Sequence, residues 1–158
     1  DRCNYLVAEI SNNIPKEWKV GILGVNDKKY YDFIKDYDLN RKKYHFFGIS
    51  RYSLINQYWS NVEAAMIFYN NEKLNNRFCA PNRLYLAADN GVPILVNDNP
   101  VLRGFIKKYD VGVVYNSIKD LKTFFNNYNY YKENAMKIKG KFKFSSQEKI
   151  YDSIINNI

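Results

Sequence analysis

Histidine, cysteine and glycine are the scarce residues of this chain, and each scarcity closes a class of chemistry. One histidine, His45, leaves no His-based metal cluster and makes a Ser-His-Asp triad a poor fit. Two cysteines, Cys3 and Cys79, are too few for a disulfide framework or a four-cysteine zinc site. Both fit a reducing compartment; Cys79 has no activating base near it in sequence, and Cys3 has no motif around it. Among the seven glycines neither GxGxxG nor GxxxxGK followed by Ser or Thr occurs, which sets aside dinucleotide sites and P-loops. Gly21 and Gly24 flank a strand end without the remaining glycine and helix spacing such a site needs. No run of about 18 apolar residues is present to span a membrane. The chain opens on Asp1 rather than Met, which predicts a fragment or a trimmed chain, and its start does not read as a signal peptide. Glu72, Asp89 and Asp98 are spread out, so no close pair offers the two-carboxylate layout of a hydrolase.

What is present is one domain's worth of chain: 158 residues, 46% apolar, enough to bury a core without staples. Asparagine (22), lysine (18), tyrosine (15) and isoleucine (15) are overused, as AT-rich codons would favour. The net charge of +8 leaves two readings, a solvated lysine-rich surface or a preference for anionic partners. The lysines, among them Lys28, Lys42, Lys73, Lys107, Lys119, Lys132 and Lys149, are scattered without a block of like charge, and most aromatics sit at core-periodic positions. A nucleic-acid partner is therefore not expected.

The apolar period alternates along the chain. Tyr5 to Ile10 predicts the end of a helix, and Trp18 to Val25 a strand. Lys28 to Tyr37 follows as a helix, Tyr44 to Gly48 as a strand and Ser53 to Trp59 as a short helix. Ala64 to Tyr69 is a strand, Pro81 to Asn90 a helix stopped by Gly91, and Val92 to Val96 a strand. Val101 to Tyr109 is a helix and Val111 to Tyr115 a strand. Ser117, with Asp120 three positions on, opens helices that run over 117–158 and break at Gly140. Strands of nearly continuous apolar residues alternating with helices predict a single α/β domain over 1–158. It would be a doubly wound, Rossmann-like parallel sheet of about five to six strands, with helices on both faces and a helical C-terminal tail. Ligands of such sheets bind beyond the carboxyl ends of the strands. The loops to examine are therefore Val25–Lys28, Gly48–Ser53, Asn70–Pro81 and Asn97–Val101. His45, inside a strand, reads as buried and hydrogen-bonded.

The segment from Asn70 to Pro100 is the most informative. A polar loop runs into Pro81, a helix, Gly91, an apolar strand and a second polar loop. The helix that Pro81 opens would present free backbone N–H groups at the ligand edge, with Arg83 beside them, which suits a phosphate or diphosphate. Equally, Arg83 is an exposed helix residue and Asn82 a capping aid.

The stretch APNRLYLAADNGVPILVNDNPVLRGFIKKYDVGVVY resembles the nucleotide-sugar-binding, C-terminal half of bacterial-type GT-B glycosyltransferases. Pro81, Asn82, Arg83, Leu84, Gly91, Val92 and Pro93 match in register, and Asn99, Pro100, Leu102, Ile106 and Gly112 continue the match. Upstream, VGILGV and YHFFGIS resemble the two preceding strands. Lys132 to Ala135 and Phe144-Ser145 resemble the closing helices, so the likeness covers the chain from about residue 17 onward. It implies transfer of a sugar from a nucleoside diphosphate donor, as in polysaccharide biosynthesis, with no metal or other cofactor. Gly48 and Ile49 would lie beside the nucleobase, and Asn82, Arg83 and Leu84 at the diphosphate and ribose. Glu72, Asn76 and Arg51 are further candidates in the loops of the same edge. The resemblance also implies that a first strand and the N-terminal, acceptor-binding half lie elsewhere, ahead of Asp1 or on a partner chain. The expected location is the cytoplasm, with the full enzyme able to sit at the membrane face. One position departs: Leu86 stands where the family places a ribose-binding glutamate. This departure favours the alternative of a non-catalytic, glycosyltransferase-like interaction domain.

Overall fold

Each of the five strands is followed by helix, as the periodicity predicts. The computed structural model describes residues 3–143; Phe144, Ser145 and the remainder of the expected C-terminal helices lie outside the described residues. In chain order the elements are α1 (Asn4–Asn13), β1 (Val20–Leu23), α2 (Asp27–Asp36), β2 (Tyr44–Gly48), α3 (Ile55–Trp59), β3 (Ala65–Ile67), α4 (Leu74–Phe78), α5 (Asn82–Asn90), β4 (Ile94–Val96), α6 (Pro100–Tyr109), β5 (Gly112–Val114), α7 (Ile118–Asn126) and α8 (Tyr128–Lys137).

All pairings are parallel, but the strands form two sheets rather than one. β1 pairs with β2, and β3, β4 and β5 form a second sheet in that order. The expectation of one sheet of five to six strands is therefore corrected to an α/β fold with a two-stranded and a three-stranded sheet. The reason is that no described strand lies between β1 and β3.

In the three-stranded sheet, the alternation of side chains divides the core. Ala65 and Ile67 face Leu84, Ala87 and Ala88 of α5 and Leu102 of α6. Met66 and Leu95 face the other way, toward Ile10 of α1 and Leu121 and Phe124 of α7. β4 is buried along its length, with Ile94, Leu95 and Val96 each at most 2% exposed. β5 approaches it so closely that a Cβ on Gly112 would stand 1.8 Å from the Ile94 carbonyl oxygen. Only glycine fits there.

The two-stranded sheet packs Val20 and Tyr44 against Tyr30 and Ile34 of α2 and Ala8 of α1. α1 thus straps both sheets. Its Ser11 hydroxyl bonds the buried Tyr44 hydroxyl of β2, and its Glu9 carboxylate accepts from the Tyr115 hydroxyl beyond β5 at 2.8 Å. His45 is exposed against Phe47, with ring centroids 4.4 Å apart, and not buried as expected. β2 is an edge strand, and only its Tyr44 and Phe46 face turns toward α2.

Helix boundaries follow local chemistry. Asp120 accepts from the Ser117 N–H at 2.9 Å and from the Asn116 N–H at 3.0 Å, closing the start of α7. Gly91, at φ 65°, stops α5 in the left-handed conformation, and its missing side chain leaves room for Met136. Within the expected polar loop 70–81 the chain makes the extra helix α4, whose Leu74 and Phe78 stay exposed.

Candidate functional site

The loops after β3 and β4 are held by asparagine side chains that act as pieces of backbone. Asn97 accepts from the Tyr69 N–H at 3.0 Å and donates to the Tyr69 carbonyl at 2.6 Å, which extends the β3–β4 pairing past the last residue of β4. Asn99, fully buried, accepts from the Val101 and Leu102 N–H groups at 2.9 and 3.1 Å and so caps α6. Its own amide donates to the Asn76 carbonyl at 2.7 Å, which fixes α4 against α6. Asn71 donates to the Asp98 carbonyl at 2.7 Å. Asn97 was placed in a ligand-edge loop by the sequence but given no role there. A polar residue directly after a fully apolar strand is the signal that could have found it.

Two cavities open at this edge. The smaller, about 440 Å³, is lined by Cys3, Tyr69, Glu72, Asn97, Tyr115 and Asn116. Burial and the Glu9 carboxylate it bonds push the Tyr115 phenol well above its ordinary value, and burial pushes the Cys3 thiol up. Both groups therefore stay protonated at neutral pH. The larger is a groove of about 1670 Å³ between the two sheets. At its carboxyl end it is lined by Ser50 and by Asn82 and Arg83 of α5.

The first turn of α5 opens on this groove without a side-chain cap. The first N–H groups of a helix have no partner within it; that of Leu84 is taken by the Pro81 carbonyl at 2.9 Å. The Arg83 guanidinium lies over the Tyr69 ring at 5.2 Å, and its Nη1 reaches the Met66 carbonyl of β3 at 3.4 Å. Its Nη2 is buried with no hydrogen-bond partner among the described residues. Leu86 forms apolar wall one turn further along.

The candidate residues are thus divided. Asn82 and Arg83 share the groove with Ser50, the residue after Ile49. Gly48 ends β2, where its carbonyl accepts from the Gly24 N–H at 2.8 Å, and Ile49 is 75% exposed beside it. The Leu84 side chain is 1% exposed in the core and does not reach the groove, because it sits on the inward face of α5. Glu72 lines the smaller cavity, pairing with Asn70 at 3.1 Å. Asn76 contributes its carbonyl to Asn99, and Arg51 is exposed in the loop after β2.

Among the described residues no group of three His, Cys, Asp or Glu side chains could hold a metal ion, and no helix is long and apolar enough to cross a membrane. The chain matches no family model, no curated protein and no solved structure.

Proposed function

We propose that the domain binds the nucleoside diphosphate portion of a sugar donor, as the donor half of a GT-B-type glycosyltransferase. In this reading the two sheets are parts of one doubly wound Rossmann-like core. The observation that carries it is the uncapped amino end of α5 opening on a groove beside the carboxyl end of β3, with Arg83 next to it. Backbone N–H groups and a guanidinium together suit a diphosphate and stabilise the charge on a departing nucleotide without a metal. Asn82 and Arg83 would hold the diphosphate, and the loop from Gly48 to Arg51 would meet the base. The acceptor would be held by the other half of the enzyme, so the domain alone binds the donor without turning it over.

One observation favours a second reading, a glycosyltransferase-like domain that serves only in binding or interaction. Leu86 lines the groove where a hydrogen-bond acceptor for ribose would stand, and a leucine side chain accepts none. Titration calorimetry with UDP and GDP tests the first reading. Binding of either is expected, with Arg83→Ala weakening it by about tenfold through loss of a charge-assisted contact. A folded chain that binds neither nucleotide would sink donor binding and leave the second reading.

A further inference from the structure

The groove changes character within one turn of α5. Residues three and four apart share a face of a helix. Leu86 therefore follows Asn82 and Arg83 on the side that lines the groove, while Leu84, Ala87 and Ala88 belong to the core. Asn82 and Arg83 bring polar groups to that face; the Leu86 side chain brings none. The step between them is one helical turn, about 5.4 Å. Arg83 is held in place from the β3 side, its guanidinium over the Tyr69 ring at 5.2 Å and its Nη1 on the Met66 carbonyl at 3.4 Å. Its Nη2 is the buried donor with no partner among the described residues. A phosphate oxygen suits that donor, because a charge-assisted contact is the strongest a guanidinium makes.

The surroundings of Leu86 are apolar as well. Trp59 and Val62, half-buried against the core, line the same groove, as do Met66 and Tyr69. Among the described residues, the carboxylates of the groove are Glu17, Asp32, Asp36 and Glu63. Glu17 and Glu63 lie ahead of β1 and β3, at the amino ends of the strands, and Asp32 and Asp36 belong to α2. Glu63 is already engaged by the Tyr128 hydroxyl at 2.6 Å and by Lys132 at 3.5 Å. Further along α5, Asp89 accepts from the Phe142 N–H at 3.1 Å outside the groove. Among the described residues no carboxylate of α3, β3 or α5 thus lines the groove beside Leu86.

A nucleoside diphosphate with its phosphates at Asn82 and Arg83 carries its five-carbon ring about one helical turn away, against Leu86. At that ring nucleotides come in two forms, with and without a hydroxyl on carbon 2′. A hydroxyl pressed on leucine gives up its hydrogen bonds to water and receives none in return. A CH2 group in the same place is buried favourably.

We infer that the donor is a 2′-deoxynucleoside diphosphate sugar, and that Leu86 selects it over the ribonucleotide. Leu86 rejects ribose and not nucleotides as such. The inference rests on the donor-binding reading and names the nucleotide class that site takes.

Titration calorimetry on the full chain compares UDP with dUDP and GDP with dGDP. Each pair shares its base and phosphates and differs by one hydroxyl. Whichever base binds, the deoxy member is expected to bind about tenfold more tightly, the effect of one buried hydroxyl left unpaired. Leu86→Gln supplies an acceptor and should bring the two members to within about twofold. Leu86→Met, apolar and of similar volume, should keep the preference. Equal affinity for the two members on the unsubstituted chain, or tighter binding of the ribonucleotide, overturns the inference and leaves donor binding standing. An undiminished preference in a folded Leu86→Gln chain overturns the selection by Leu86. Binding of none of the four nucleotides overturns the inference together with the donor-binding reading.

Discussion

The three-stranded and two-stranded sheets are made from similar apolar runs, yet their side chains meet opposite fates. In β4 every residue is buried, and β5 lies so close that Gly112 leaves no room for a methyl group. In β2 Tyr44 is buried while His45 and Phe47, on the other face, stay exposed. The run VPILV and the run YHFFG both read as strands, and both are strands. Their burial differs because β4 has a paired strand on each side and helices above and below, whereas β2 is an edge strand whose outer face meets the short α3 through Phe47 and Tyr58, with ring centroids 5.3 Å apart. Position in a sheet, more than composition of the run, sets how tightly a strand is held.

The sharpest way to break this comparison is a matched pair of glycine substitutions. Gly112→Ala drives a methyl into the Ile94 carbonyl and is expected to cost about 3 kcal/mol, the upper range for overpacking. Gly21→Ala in β1 meets only the exposed Phe47 ring, at 3.1 Å, and should stay within about 0.5 kcal/mol. Urea unfolding of both variants decides; equal losses would show that the two sheets are equally close-packed. Asn99→Ala comes next. It removes the cap of α6 and the tie to α4, and about 2 kcal/mol of stability should go with them. A loss below about 0.5 kcal/mol, the range of a surface substitution, would mean that the asparagine layer does not anchor the three-stranded half.

The smallest effect concerns the tie between α8 and the turn leading into β3. The hydrogen bond from Tyr128, followed by the nearby Lys132, holds the Glu63 carboxyl below its ordinary value of 4.5. A carboxylate with a depressed folded pKa stabilises fully above that ordinary value and loses its contribution as pH falls through the folded one. The chain should therefore lose a little stability on acidification, and the loss should be small because Glu63 is largely exposed. Tyr128→Phe is expected to flatten that part of the curve in denaturant midpoints taken across the acid range. An unchanged acid limb would show that this pair contributes nothing to the tie.

Much of the fold was readable from the residues. The five strands and most helices fall where the apolar period changes, because each change marks a face that must be buried. The start of α7 was readable too, at Ser117 with Asp120, since capping is chemistry between near neighbours; the Asn99 cap of α6 was not read, its helix being expected only from Val101. The site was less readable. Asn82 and Arg83 do meet at the groove, but Leu84 points into the core and Glu72 falls in another cavity, because a helix turns about 100° per residue and adjacent residues diverge. His45 was misread for the same kind of reason: a strand's apolar run does not say whether it will be central or at an edge.

By itself, then, the amino-acid order determined which segments become the five strands and most of the helices. Those depend on contacts a few residues apart. Only the tertiary structure decided that β1 and β3 leave a groove between them, that Arg83 reaches across to the Met66 carbonyl, and that α1 straps two sheets together. These depend on which strands become neighbours, a pairing between segments tens of residues apart that local sequence leaves open.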